Sequence, residues 1–407
     1  MKIAIISSLF PPFGVGGAEQ VASQLTLALH RLGQQVDVIS TCSRRELTGG
    51  GYRTDEWEGI RVWRIAPRNL YWRFDRETAQ PNRLSRAAWH AIDLWNPSII
   101  APLNQILCRI QPEVINTHNI DGFSPAVWKV ARSHTGAVVH TLHDYHLLCP
   151  RATMQRRDGT ACKRLCRFCR VYALYHRRFQ ESVRVLAAPS AAVADLHRQS
   201  GWIGPRVEII RNAVDIPPVQ PPDIPARDPL RVLFLSRLER EKGCETLMRI
   251  VRSSHGATDV QFHLAGRGSY EKQMSELAQT APNVVWHGYV SGSAKHDLLS
   301  SADVFLQLSE CRENAPLGLI EARRYGLYLV GTDVGGIPEV ISGPEVGQLT
   351  PPGDAEKLSR TLRTLAEQRD ALRRERSLRL SHDTGYGTRE MAQTYLRVFR
   401  SLVEPPF

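Results

Sequence analysis

Two carboxylates, Glu313 and Glu321, stand eight residues apart in the run Glu313-Asn-Ala-Pro-Leu-Gly-Leu-Ile-Glu321-Ala, and GTDVGGIPEVI follows it. Pro316 falls where the first turn of a helix tolerates proline. The amides of Leu317 and Gly318 would then be open donors at a positive helix end, which suits a phosphate. Glu321 lies a little over one turn further in, and a carboxylate offers an acceptor fork to two neighbouring sugar hydroxyls. Glu313 sits in the preceding loop, where it can meet a second polyol. A phosphate flanked by hydroxyl-rich groups is a nucleotide sugar.

Such a donor leaves a diphosphate behind, and the chain has cations for it. Arg237 and Lys242, in SRLEREKG, directly follow an apolar run. Fixed charge aimed at a leaving group is usually the largest catalytic contribution, one donor being worth ~3 kcal/mol. The bland alternative for Lys242 is a surface pair with Glu239 or Glu241. Gly16 and Gly17 precede Ala18 and Glu19 at a helix start, where backbone can approach an anion closely; Glu19 itself is a first-turn acid favoured by the helix dipole. His143 and Asp144 close the apolar run of TLHDYHLLCP. An imidazole there can hydrogen-bond a sugar hydroxyl or polarise the reacting centre. Asp144 could orient the ring, assist acceptor deprotonation, or cap the next segment. Gly266 and Gly268 in LAGRGS mark a close backbone approach after a strand. Gly335 and Gly336, with Pro338 and Glu339, turn into a short helix and shape the site. No Asp-x-Asp pair stands on a strand-end loop, so transfer is expected to need no divalent cation.

These segments, in this order, resemble the blocks of the family-4 retaining glycosyltransferases: MKIAIISSLFPPFGVGGAE, TLHDYHLLCP, IIRNAVD, SRLEREKG, LAGRGS and the Glu-x7-Glu element, together spanning nearly the whole chain. The resemblance implies the GT-B fold, two Rossmann-like α/β domains whose parallel sheets face a central cleft. It implies Glu313 on the donor sugar, Glu321 on the ribose, Arg237 and Lys242 on the diphosphate, and His143 at the reacting centre. It places the donor against Gly16, Gly17, Gly266, Gly268, Asn314, Leu317 and Gly318, with the nucleobase on the main chain near Tyr289 and Val290. Transfer with retained anomeric configuration follows, by front-face displacement without an obligatory protein nucleophile. Ala213 stands where the family's Asn-Gly-Val-Asp junction, here Asn212 to Asp215, has glycine.

Positioning these residues requires βα units. The first half offers apolar runs at 3–7, 36–40, 60–65, 114–118, 137–143, 185–188 and 207–210, with helices at 18–32, 123–134, 172–182 and 191–199. Residues 66–110 read less clearly and could form acceptor-side helices. Asn212–Asp228 holds five prolines and no periodic apolar face, which predicts a linker. A second series starts at 232–236 and continues at 261–265, 284–287, 304–308, 329–332 and 346–349. Its helices are expected at 244–251, 270–277, 294–301 and 316–325, then one long charged helix at 355–376. The domains are thus 1–211, with a Cys-rich insert at 149–169, and 229–385; the resemblance sends a last helix, within 386–407, back to the first.

Composition is that of a globular chain with no run long enough to span a membrane. The N-terminus starts directly on a strand, which predicts a cytoplasmic protein. Lys and Arg minus Asp and Glu give 26 − 15 = +11 for residues 1–200 and 26 − 26 = 0 for 201–407. The densest part, 151–184, holds 10 basic and 2 acidic residues interleaved with aromatics. It could meet an anionic membrane surface or a lipid-pyrophosphate acceptor, or be a solvated face; no nucleic-acid-binding motif is present. Cys149, Cys162, Cys166 and Cys169 cluster in a way that suggests a structural zinc over disulfides, though not with a standard ribbon spacing. The reading is a metal-independent hexosyltransferase using a nucleotide sugar and a lipid-linked or polysaccharide acceptor, on the cytoplasmic side and peripheral to a membrane if the basic face binds one. Its alternatives are a catalytically silent scaffold of the same fold, or an epimerase or phosphorylase. Sugar, base and acceptor are not named by the sequence.

Overall fold

A computed structural model describes residues 1–13, 16–47, 51–75, 82–156, 160–162, 164–219, 228–254, 258–381 and 385–404. The linker prolines Pro221, Pro222 and Pro225 lie outside these residues. The chain divides into two compact units, Met1–Ala152 with Arg164–Ala213 and Gly387–Phe407, and Thr153–Lys163 with Val214–Tyr386.

The first unit carries β1 (Lys2–Ser7), β2 (Gln35–Thr41), β3 (Tyr52–Trp57), β4 (Ile60–Ile65), β5 (Val114–Thr117), β6 (Ala137–Thr141), β7 (Val185–Ala188) and β8 (Arg206–Ile209). They form one sheet in the order β3-β4-β2-β1-β5-β6-β7-β8. All pairings are parallel except β3 with β4. Ile3, Ala4, Ile5 and Ile6 are fully buried, as a central parallel strand covered on both faces requires. The helices are α1 (Gly17–Arg31), α2 (Arg83–Leu94), α3 (Ile100–Ile110), α4 (Ala126–His134), α5 (Arg167–Arg177) and α6 (Ala191–Gln199). α5 starts five residues earlier than expected because the Cys166 thiol caps it, accepting from the Cys169 amide at 3.4 Å.

The second unit carries β9 (Leu230–Leu235), β10 (Val260–Ala265), β11 (Val284–Trp286), β12 (Val304–Gln307), β13 (Tyr328–Thr332) and β14 (Gly347–Thr350). The sheet is parallel, ordered β11-β10-β9-β12-β13-β14. Its helices are α7 (Cys244–Ser253), α8 (Glu271–Thr280), α9 (Gly292–Ser301), α10 (Leu317–Arg324), α11 (Ile337–Val340), α12 (Ala355–Glu367), α13 (Arg369–Arg374) and α14 (Arg376–Ser381). The long charged helix expected over 355–376 is therefore broken. The breaks let Arg373 turn onto Asp303 at 2.9 Å, and buried Arg376 donate to the carbonyls of Tyr325 and Ala302, each at 3.0 Å. The final helix, α15 (Thr388–Val403), belongs to the first unit and packs on α1.

Candidate functional site

In each unit strand order reverses beside one central strand, β1 or β9, and open α/β sheets take ligands beyond the carboxyl ends at such a point. In the second unit the loops leaving β9, β10 and β12 hold the expected donor residues. Arg237 is exposed on the first. Lys242 turns inward, its Nζ 2.5 Å from Glu313 Oε1, with both side chains 13% exposed. The partner of Lys242 is thus Glu313 and not the neighbouring Glu239 or Glu241. Ser309 Oγ also donates to that Oε1, at 2.6 Å. Ser309 is itself fixed by Gln307 Nε2 at 2.8 Å, and its carbonyl accepts from Thr332 Oγ1 at 2.6 Å. Gly335, at φ +58, lies so close that a Cβ there would stand 2.1 Å from the Glu313 carbonyl. The Gly336 amide donates to that carbonyl at 2.8 Å. The glycine turn therefore grips Glu313 by its backbone.

Pro316 is the cap of α10, and not its first residue. The Leu319 and Ile320 amides bond back to the Pro316 carbonyl. That leaves Leu317 and Gly318 as the open donors of the helix end among the described residues. Glu321, one turn on, is 14% exposed and meets Lys295 Nζ of α9 at 2.5 Å. Lys295 was not singled out from the sequence, where a single lysine on a polar helix reads as solvated. Asn314 follows Glu313 in the same loop. Gly266 is needed by the fold: at φ +142, a Cβ there would sit 1.9 Å from the Ser236 carbonyl. A Cβ on Gly268 would meet the Leu238 carbonyl at 2.5 Å. Both glycines thus seat the β10 loop against the loop that carries Arg237. Tyr289 is 55% exposed, with the Arg267 guanidinium 4.5 Å over its ring, while Val290 packs into the core beside α10.

In the first unit, Gly16 caps α1 and Gly17 begins it. The Glu19 carboxylate folds back onto the Gly16 amide and Asn119, and burial raises its pKa. His143 follows β6, and its Nε2 lies 2.7 Å from Nδ1 of His118, which follows β5. The two rings stack 5.0 Å apart. Burial holds His143 down to about 4, and burial plus His143 and His140 hold His118 well below its ordinary value, so the pair shares one hydrogen bond as neutral rings. Asp144 accepts from the His146 amide at 2.7 Å, and burial raises its carboxyl. Asp121 meets Arg73 at 2.8 Å and His146 at 3.7 Å. Burial pushes Asp121 up, but His146 and Arg73 outweigh it and leave the carboxyl below its usual range. His118, Asp121 and Arg73 had no assigned role in the sequence; adjacent strand ends at β5 and β6 are the signal that marks His118.

Of the four expected zinc ligands, Cys149, Cys166 and Cys169 come together. Cys169 shares hydrogen bonds with Cys149 and Cys166, while the Cys162 amide is tied to the Met154 carbonyl. Among the described residues no three His, Cys, Asp or Glu side chains are arranged to hold a metal ion.

A family model described as Glycosyltransferase Family 4 matches residues 15–217, and one described as Glycosyl transferases group 1 matches residues 220–380. A 42.6 kDa protein of the cps region of Klebsiella pneumoniae is 25% identical over 84% of this chain and 87% of its own. The glycogen synthase of Mycobacterium tuberculosis is 25% identical over 100% of this chain and 97% of its own. Among solved structures, sucrose-phosphate synthase from Thermosynechococcus elongatus matches with TM-score 0.69 at 18% identity, covering 99% of both chains. HepE of Anabaena in complex with UDP matches with TM-score 0.69 at 17% identity, covering 98% of this chain and 100% of that one. Likenesses at this identity are likenesses of fold.

Proposed function

This chain belongs to the glycosyltransferases, family 4 in its N-terminal half and group 1 in its C-terminal half, and we propose that it moves a hexose from a UDP- or GDP-linked donor to a hydroxyl of a lipid-linked or polysaccharide acceptor, with the anomeric configuration retained. Arg237 and Lys242 neutralise the departing diphosphate, helped by the open amides of Leu317 and Gly318. Glu313 holds the donor sugar and Glu321 the ribose. The bond between the anomeric carbon and the phosphate oxygen breaks as the acceptor oxygen bonds that carbon on the same face. The acceptor proton passes to the leaving phosphate. His143 hydrogen-bonds a sugar hydroxyl beside the reacting centre, held in place by His118. Fixed cations take the role a divalent ion would have, so transfer proceeds in EDTA. A lipid-linked acceptor puts the enzyme on a membrane surface, peripherally and on its cytoplasmic face.

The observation that carries this reading is the contact of Lys242 with Glu313: residues from two strand-end loops, 71 positions apart, meet at 2.5 Å. The test is incubation with a panel of nucleotide sugars, following released nucleoside diphosphate and the product anomer by NMR. Wild type should release diphosphate and yield the retained anomer. Lys242→Ala should turn over about a hundredfold more slowly, the loss expected for one preorganised donor. An inverted anomer, an epimerised donor or a free sugar phosphate would overturn it.

A further inference from the structure

The outer face of α5 is apolar where solvent would favour polar side chains. Phe168 and Val171 are 69% exposed and Leu174 is 51% exposed. Their spacing of three places them in one stripe along the helix. The opposite face, Tyr172, Ala173 and His176, is buried in the first unit. Arg167, Arg170 and Arg178 stand exposed around the stripe, and the sequence of α5 contains no acid.

The stripe does not end with α5. The Tyr175 hydroxyl donates to the Leu94 carbonyl at 2.8 Å, and Phe179 stacks on Trp95 at 5.7 Å, joining the end of α5 to the end of α2. On α2, Leu84 is 82% exposed and Ile92 36% exposed, beside exposed Arg83 and Arg86. The one acid of α2, Asp93, is turned inward, where it accepts from the Gly122 amide. Two helices thus present aliphatic and aromatic side chains outward among arginines.

We propose that the joined outer faces of α2 and α5 are a docking surface for an anionic phospholipid bilayer. Helices with this division of side chains lie in the interface plane, the apolar stripe at the headgroup and acyl boundary and the cations on lipid phosphates. A nucleic acid or acidic polymer would be met by the arginines but gives no use to exposed Leu84, Phe168, Val171 and Leu174. This deepens the reading of a lipid-linked acceptor: it names the surface that brings the first unit to the plane where such an acceptor is displayed.

The test is co-sedimentation of the full chain with phosphatidylcholine vesicles made with and without phosphatidylglycerol, at low and high salt. Binding is expected only to the anionic vesicles and should weaken with salt. The triple variant F168S/V171S/L174S should bind at least about tenfold more weakly. Its melting temperature and its thermal shift with UDP should match wild type. The variant R167A/R170A should also weaken binding. Equal binding of wild type to both vesicle types, or none, would overturn the proposal. So would vesicle binding lost in R167A/R170A but kept in the triple variant, which would mark a polyanion site. Vesicle binding with no thermal shift from either UDP or GDP in wild type would leave the surface standing and remove the donor reading instead.

Discussion

The residue that most sharpens the donor site is Lys295. It sits on α9, outside every motif, and its ammonium reaches the carboxylate proposed to hold the ribose. A carboxylate beside a bound diphosphate would repel it; a lysine on that carboxylate cancels the repulsion and fixes the orientation of the free oxygen. Charge-assisted contacts of this kind are the strong ones. Lys295 touches no reacting atom in this account, so it acts through Glu321, as a positioning residue. Lys295→Ala should raise the donor KM about tenfold, the equivalent of ~1.4 kcal/mol, with kcat within about twofold. Lys295→Arg should restore most of the affinity. A KM unchanged by the alanine, or a loss confined to kcat, would show that the pair is only a surface contact.

At the scale of elements, α15 ties the two ends of the first unit's sequence together. Met391, Ala392, Tyr395 and Phe399 are buried, and Tyr395 hydrogen-bonds Thr141 of β6 at 3.0 Å. Thr141 lies two residues before His143, so this helix braces the strand that delivers the imidazole. Phe399→Ala should cost about 3–5 kcal/mol by removing a fully buried ring. Chemical denaturation followed by tryptophan fluorescence reads this, and a loss under 1 kcal/mol would mean that α15 packs loosely. The sequence made the inner strands plain, since β1, β5 and β6 each carry adjacent apolar residues that point to both faces: Ile3 to Ile6, Val114 with Ile115, and Ala137 to Val139. It hid β3, because Tyr52–Trp57 carries Arg53, Asp55 and Glu56 and pairs on one side only, at the sheet edge, where charge blunts further pairing. The same limit applies to the site. Glu313, Lys242, His143 and the α10 helix end were legible because each sits at a strand end or turn that local pattern marks. The pairings of Glu313 with Lys242, Glu321 with Lys295 and His143 with His118 depend on register between distant strands and on helix azimuth. One sequence carries no direct signal for either.

Over the whole molecule, titratable groups are as unevenly shared as charge. His90, His118, His140, His143, His176 and His197 all lie in the first unit, and burial lowers each of them: His143 and His197 to about 4, His176 to about 3. In the second unit burial lowers His263 to about 4, and lowers His287. A histidine whose folded pKa is depressed takes up its proton first in the unfolded chain, at about pH 6.5. Its stabilising contribution is therefore complete above that pH and is lost as pH falls towards the folded value. His143 and His197, each moved from 6.5 to about 4, amount to roughly 3 kcal/mol apiece once both states are protonated. Glu19, Asp93 and Asp144, raised by burial, take up protons in the fold first and offset part of this at the acid end. With His90, which burial also lowers, six histidines stand against these three carboxyls in the first unit, so acid should destabilise it. Seven of the eight tryptophans, all but Trp286, belong to that unit, and Trp128 packs 5.0 Å from the His140 ring. Thermal melts followed by tryptophan fluorescence should therefore lose at least about 5 °C between pH 7 and pH 4.5, since 1 kcal/mol is worth roughly 2–4 °C in a unit of this size. A melting temperature that holds or rises over that interval would mean that these histidines take up protons in the fold as readily as in the unfolded chain, and the burial argument for a neutral pairing of His143 with His118 would fall with it.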